Sequence, residues 1–269
     1  MTLKIGIMGC AGRMGRALVR TVLETEGRGL SGGCDIAESG VVGQDVAEQA
    51  GAPAVGEAVT DDPAAVIGVS DAVIDFSGPD ATARHAALAR DHGTALVIGT
   101  TGLGEAQQAE VDAAAKHVPV VQAPNMSLGV NLLLALVEQV ATALDPSWDV
   151  EITEMHHRHK KDAPSGTALA LGRAAASGRG VDLDAVADRV RDGHTGPRVP
   201  GAIGFATLRG GDVVGEHSVT FAGEGERVEI GHKAGSRDIF ARGAVKAAGW
   251  TAGRAPGLYG MRDVLGLNG

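Results

Sequence analysis

The chain has 269 residues, a net charge of −9 at pH 7, 44% hydrophobic and 21% charged residues, and 3% aromatics. That length spans one to two domains and buries a core without disulfide or metal staples, and the acidity with so few rings excludes a general nucleic-acid binder, which needs a basic face and stacking platforms. No apolar run reaches the roughly 18 residues of a membrane span, the apolar start MTLKIGIMGC is too short for a signal peptide, and Cys10 and Cys34, read as free thiols, fit a reducing cytoplasm.

Residues 3–9 are a short apolar run closed by glycine, a buried strand, and 13–26 carry helical periodicity. Residues 29–35 form a glycine-weakened strand ending at Asp35, and 37–50 are ambiguous. Strands follow at 71–76, 94–99 and 118–123, with a helix capped by Asp80 running to about His92 and a polar-faced helix at 105–117. Strands alternating with helices predict an α/β fold with a Rossmann-type, doubly wound parallel sheet. The style changes near Pro124-Asn125. A long apolar helix spans 128–144, a strand 148–154 and a helix about 165–177, and β segments joined by glycine turns fill 201–234 as antiparallel hairpins. A last helix covers about 238–250. The expected domains are 1–126, a dinucleotide-binding unit onto which 237–269 packs back, and 127–236, an α+β unit with a mixed or antiparallel sheet.

Gly9-Cys10-Ala11-Gly12-Arg13-Met14-Gly15 lies between the first strand and the first helix. Glycines there permit a tight turn and the approach of a pyrophosphate to the helix N-terminus. The spacing is G-x-x-G-x-x-G, so the strand-to-helix context carries the argument. Asp35, at the end of the second strand, is placed to bind ribose hydroxyls. Its carboxylate repels a 2′-phosphate, which slightly favours NADH over NADPH, and Ile36 offers that phosphate no cation. Three further strand ends bear small or polar residues suited to lining the cofactor's path: Phe76-Ser77-Gly78, Gly99-Thr100-Thr101-Gly102 and Pro124-Asn125-Met126.

The most informative run is Glu154-Met155-His156-His157-Arg158-His159-Lys160-Lys161-Asp162-Ala163-Pro164-Ser165-Gly166-Thr167. Like charges about 4 Å apart repel by about 4 kcal/mol at a surface-like dielectric, so the charges must splay into water or surround an anion. The following Pro164-Ser165-Gly166-Thr167 reads as a helix start, itself attractive to anions. Neighbouring cations disfavour a metal, and none is expected. A site for a carboxylate-bearing substrate fits better. A histidine there exchanges protons near neutral pH, Lys160 among other cations suits a proton donor, and Ser165, Gly166 and Thr167 offer N–H and hydroxyl groups to a carboxylate.

The motif E-x-H-H-R-H-K-x-D-A-P-S-G-T-A at Glu154–Ala168 resembles the signature of the 4-hydroxy-tetrahydrodipicolinate reductase (dihydrodipicolinate reductase) family. Gly12–Gly15 (G-R-M-G), Ile98–Gly102 (I-G-T-T-G), Asn125–Asn131 (N-x-S-x-G-V-N) and Met261–Leu265 (M-R-D-V-L) extend the resemblance over nearly the whole chain. It implies a cytoplasmic, NAD(P)H-dependent enzyme of diaminopimelate and lysine synthesis, with His156 and Lys160 as the catalytic pair. His157, Ser165, Gly166 and Thr167 would hold the carboxylates of a small dicarboxylate. Gly9, Cys10, Ala11, Gly12, Arg13, Met14, Asp35, Phe76, Gly99, Thr100, Thr101, Ala123, Pro124, Asn125 and Met126 would hold the dinucleotide. It further implies a homotetramer built through the sheet of 127–236, making that unit one of substrate binding and oligomerisation, with no nucleic-acid or membrane partner. Ala11 departs from a glycine frequent in the family, and Ile36 from an arginine that some members place against the 2′-phosphate. Two other readings stand beside this one: an NAD(H)-sensing regulator with a dead pocket, and a reductase of another small carboxylate.

Overall fold

The computed structural model describes residues 2–267 and divides into two compact units, Met1–Leu128 with Asp238–Gly269, and Gly129–Arg237. The elements in chain order are β1 (Leu3–Met8), α1 (Arg13–Glu24), β2 (Arg28–Cys34), α2 (Val46–Gln49), β3 (Val59–Thr60), α3 (Pro63–Ile67), β4 (Ala72–Asp75), α4 (Pro79–His92), β5 (Ala95–Ile98), α5 (Glu105–Ala115), β6 (Pro119–Gln122), α6 (Leu128–Ala143), β7 (Asp149–His156), α7 (Gly166–Arg179), α8 (Leu183–Val186), β8 (Ala187–Asp188), β9 (Ile203–Arg209), β10 (Gly215–Ala222), β11 (Arg227–Ala234), α9 (Asp238–Thr251), β12 (Gly257–Tyr259) and α10 (Met261–Leu265). A single 3-10 turn at Ala37–Ser39 follows β2.

In the first unit seven parallel strands run in the order β12-β6-β5-β4-β1-β2-β3. The chain starts at β1, winds outward through β2 and β3, then returns to β4 and winds the other way. The sequence direction therefore reverses between β1 and β4, the place where α/β sheets bind ligands beyond the carboxyl ends of their strands. Central strands are buried on both faces, which is why Ile5, Ile7, Val73, Ile74, Leu96 and Val97 are fully inaccessible. The helix α9 packs on α1 and against β4, β5 and β6, so residues 238–251 complete the core of this unit through Ala241, Ala244, Ala247 and Ala248.

Two details differ from expectation. The N-cap of α4 is Gly78, not Asp80. Asp80 sits inside the first turn, where its carboxylate favours the helix dipole and accepts from Gln107 Nε2 at 2.8 Å. The short elements β3, α3 and β12 carry too few residues to show a period, and β12 joins the sheet only through pairing with β6.

The second unit is a five-stranded mixed sheet in the order β11-β10-β7-β9-β8. Only β10 and β11 form a consecutive hairpin. The glycine turn at 210–212 does not join a hairpin, because β7 lies between β9 and β10, parallel to the first and antiparallel to the second. The turn instead crosses the end of β7: Gly210 N donates to His156 O at 2.9 Å, Arg158 N to Gly211 O at 3.3 Å, and His157 N to Val213 O at 2.7 Å. These bonds extend β7 to His156, two residues past its expected end. Leu133 and Val137 of α6 and Leu171 and Ala175 of α7 share a core with Val150, Ile152, Ile203, Val219 and Phe221 of the sheet.

Candidate active site

Period-two alternation builds the site of the second unit. The core-facing row of β7 reads Val150, Ile152, Glu154, His156, and that of β10 reads Phe221, Val219, His217. Antiparallel register sets Val150 opposite Phe221, Ile152 opposite Val219 and Glu154 opposite His217. One face of one sheet is thus apolar at one end and polar at the other, and His232 of β11, opposite His217, prolongs the polar row. Burying Glu154, His156 and His217 without partners would cost several kcal/mol. Glu154 is 1% exposed, and four donors surround it. Arg209 forks onto it, Nη1 to Oε2 and Nη2 to Oε1, both at 2.9 Å. Ser165 N donates to Oε1 at 3.0 Å, and His156 Nδ1 lies 2.5 Å from Oε2. Burial alone would raise the Glu154 pKa, but Arg209, His156 and Ser165 N–H outweigh it and hold the carboxyl below its usual range.

The same carboxylate ties the end of β7 to the start of α7. Ser165 is the N-cap, its Oγ accepting from Ala168 N at 3.1 Å. That Oγ also meets His217 Nε2 at 3.1 Å, and the His217 ring stands edge-on to His156 with centroids 5.1 Å apart. Burial, then the neighbouring His156, push His217 down to about 4, so it is neutral at physiological pH. His156 is also lowered, by burial first and by Lys160 and Arg209, against the opposing pull of Glu154.

The structure sorts the basic run. His156 is buried and His157 and Lys160 are half-buried, while Arg158, His159 and Lys161 are exposed and shed their charge into water. Lys160 Nζ pairs with Asp162 Oδ1 at 2.9 Å, which lowers the Asp162 carboxyl. Gly166 and Thr167 form the first turn of α7, whose fourteen residues direct the positive end of their dipole there. His156 and Ser165 therefore meet on one carboxylate, and Lys160 acts electrostatically on both His156 and His217.

In the first unit the predicted dinucleotide residues fall on the carboxyl ends of adjacent strands. Gly9 turns at φ 75°, and Gly9 N and Cys10 N both donate to Cys34 O, at 2.8 and 3.1 Å. Gly12 caps α1 with no side-chain hydrogen bond, and the first turn holds no acidic residue, leaving a helix start suited to an anion. Asp35 approaches the loop directly, its Oδ2 accepting from Ala11 N at 2.7 Å and its Oδ1 from Ile36 N at 2.9 Å. Arg13 is exposed and Met14 half-buried beside it. The Phe76 ring lies across Gly99, where a Cβ would come within 2.6 Å of Phe76 Cε2. Thr100, Thr101, Ala123 and Pro124 line a cavity of about 520 Å³ with Leu258 and Tyr259. Asn125 Oδ1 accepts from Ser127 N at 2.9 Å. The side chains of Cys10 and Met126 are packed in the core, 2% and 1% exposed, and both cysteines are free thiols.

Sequence reasoning missed Arg209, His217, His232 and the buried pair Asp75–His85. A signal existed for His217: it occupies a core-facing position in a row with Val219 and Phe221, where a polar residue calls for a partner. Arg209 offered none, since its side chain reaches two positions along the neighbouring strand.

A doubly wound sheet with an uncapped glycine loop, and a second unit holding a carboxylate-bound histidine next to a lysine, define an oxidoreductase that uses a nicotinamide nucleotide. Residues 3–126 match the model described as dihydrodipicolinate reductase, N-terminus, and residues 129–265 the model of its C-terminus. The chain belongs to the dihydrodipicolinate reductase family. Among its relatives are the 4-hydroxy-tetrahydrodipicolinate reductases of Allorhizobium ampelinum, 55% identical over 99% of both chains, and of Parvibaculum lavamentivorans, 56% identical over 98% of both. A dipicolinate-bound dihydrodipicolinate reductase from Paenisporosarcina sp. TG-14 superposes with a TM-score of 0.79 at 26% identity, covering 98% of this chain and 99% of that one. Among the described residues no helix is long and apolar enough to cross a membrane.

Proposed function

We propose that this chain carries out its family's reaction, the NAD(P)H-dependent reduction of 4-hydroxy-tetrahydrodipicolinate to tetrahydrodipicolinate with loss of water, through the residues of the basic run. The reaction belongs to the diaminopimelate route to lysine. The observation that carries the assignment of roles is the buried cluster at the end of β7, where His156, Glu154 and Ser165 meet beside Lys160.

The residues present fit a dinucleotide. The uncapped start of α1 suits a pyrophosphate, and a Cβ at Gly12 would meet only Gly9 O, at 3.3 Å. Gly9 to Met14 would hold the phosphates. Asp35, whose carboxylate keeps lone pairs beyond the two N–H groups it accepts, would hold ribose hydroxyls. Phe76, Gly99 to Thr101 and Ala123 to Met126 would line the remainder. Asp35 with the exposed Ile36 gives NADH a slight advantage over NADPH. When bound, the reduced nicotinamide would supply a hydride to ring carbon C4 of the substrate, with water loss preceding or accompanying this step.

The chain's own residues do the rest. His157, with Gly166 and Thr167 at the positive end of α7, binds the carboxylates, and Ser165, whose N–H and hydroxyl are taken by Glu154, Ala168 and His217, assists by fixing that helix start. Hydride addition to a conjugated imine leaves an electron pair on the adjacent carbon. Lys160 donates the proton that this carbon takes up, and His156 assists by exchanging protons. The cations also lower the energy of the negative charge that develops. The enzyme works in the cytoplasm as a homotetramer assembled through the second unit's sheet, whose outward row includes Thr153, Ala206 and Leu208.

Incubating the purified chain with freshly made substrate and NADH or NADPH tests the reading. Both reduced nucleotides should be oxidised, NADH with a somewhat higher kcat/KM, and dipicolinate, a planar dicarboxylate, should compete with the substrate. Nucleotide binding without oxidation would reveal a sensor, and turnover indifferent to dipicolinate a different carboxylate substrate.

A further inference from the structure

The geometry points to Glu154, clamped by Arg209, as the positioning residue that places the His156 proton on Nδ1 and leaves Nε2 as the nitrogen that exchanges protons. This rests on the reading of His156 as an acid–base residue and adds which atom acts and what sets it.

Four N–H groups or ring nitrogens converge on the Glu154 carboxylate: two from Arg209 at 2.9 Å, Ser165 N at 3.0 Å and His156 Nδ1 at 2.5 Å. A guanidinium and a backbone amide can only donate. The guanidinium's charge and these donated bonds hold the carboxyl below its usual range, hence ionised and acceptor-only at neutral pH. The fourth partner must then donate as well, so Nδ1 carries the hydrogen. A neutral imidazole holds one proton, so its other nitrogen, Nε2, is bare. Among the described residues no group bonds Nε2. A Cβ on Gly215 would stand 3.0 Å from it, so glycine keeps that side of the ring open.

Charges reach His156 from every element around it. Glu154 on its own strand favours a second proton on the ring. Arg209 from β9 and Lys160 from the following turn oppose one, and His217 from β10 is neutral. Ser165, at the start of α7, adds no charge. The Arg209 fork thus has two effects: it fixes the carboxylate's orientation and cancels its charge, so that Glu154 orients the imidazole without turning it into a lasting cation. Arg209 is itself held by Asp162 O, 2.6 Å from Nη2, which links the clamp to the residue that pairs with Lys160.

Nitrogen-15 NMR of the imidazoles in the ligand-free wild-type chain, with His156 assigned by its loss in His156→Ala, reads the tautomer in the wild-type protein itself. The expected result is a protonated Nδ1 and a bare Nε2 at neutral pH; a neutral ring protonated on Nε2 overturns the inference. In Glu154→Gln, Ser165 N and Arg209 will retain the amide oxygen, turning the amide NH2 toward Nδ1 and moving the ring proton to Nε2. The kcat should then fall by about 10²–10⁴-fold, the scale of losing a proton-transfer group or of misorienting its histidine, with the nucleotide Kd unchanged. Glu154→Asp, which keeps a carboxylate, should keep the Nδ1 proton and recover part of kcat. Equal loss of kcat in both variants with an unaltered tautomer would make Glu154 a structural residue only. Full turnover by His156→Ala would instead remove the acid–base reading while leaving the tautomer result in place.

Discussion

Ser165 Oγ and His217 Nε2 lie 3.1 Å apart, both residues buried, where the first turn of α7 meets β10. One hydroxyl caps a helix and partners a histidine whose other ring nitrogen, Nδ1, is buried without a hydrogen bond among the described residues. A second proton on that ring would be stranded, so the junction requires His217 to be neutral.

Stability should follow from this. Burial pushes His217 down to about 4 in the folded chain from an ordinary 6.5, so the unfolded chain binds the extra proton first as pH falls. Stability is complete above about 6.5 and declines toward 4, by on the order of 3 kcal/mol from this residue. His156 and His232, also lowered, add to the decline with the same sign. Urea midpoints measured between pH 7 and 4.5 should fall steadily, and His217→Gln should flatten the slope. An unchanged slope in the variant would show that His217 is not the titrating group.

Asp75 should govern the nucleotide site without touching the chemistry. Fully buried at the end of β4, it accepts from Ser77 N at 2.8 Å, meets Ser77 Oγ at 2.5 Å and His85 Nδ1 at 2.8 Å, and lies 3.4 Å from Thr100 Oγ1. Burial opposes its ionisation, but His85 and Ser77 hold its carboxyl low. Asp75→Ala leaves His85 without its partner and frees two strand ends at once. The expected cost is about 3 kcal/mol in denaturant unfolding and about tenfold in nucleotide Kd by fluorescence titration, with kcat at saturation changed much less.

Two glycines of the first loop should respond oppositely to alanine. A Cβ on Gly15 collides with the Gly9 carbonyl oxygen and comes within 2.6 Å of Cys10 Cα, so the backbone of the loop must move. Gly15→Ala should cost about 1–3 kcal/mol and abolish detectable nucleotide binding. At Gly12 the φ is −67° and the nearest atom would be 3.3 Å away, so Gly12→Ala should keep wild-type stability. Thermal melts of both variants check the contrast.

Much of this was legible from residue order because two kinds of signal are local. Apolar runs closed by glycine mark parallel strands, and the density of charge in 156–161 forces a search for an anion. The burial of His156 against the exposure of Arg158 and His159 was not legible. It depends on β7 continuing to His156, which the crossing turn at 210–212 enforces from more than fifty residues away. The same long-range order put β7 between β9 and β10, a pairing that the glycine turn misrepresented as a hairpin. Arg209 became a partner of Glu154 only once that register existed.

The central claim, that Lys160 delivers the proton, is tested most directly by measuring kcat and nucleotide Kd for Lys160→Ala on one preparation. Lys160 belongs to the second unit and is bonded to Asp162, so its loss should leave nucleotide affinity within about twofold while kcat falls by about 10²-fold or more. Parallel losses of kcat and nucleotide affinity, or retention of full kcat, would contradict it.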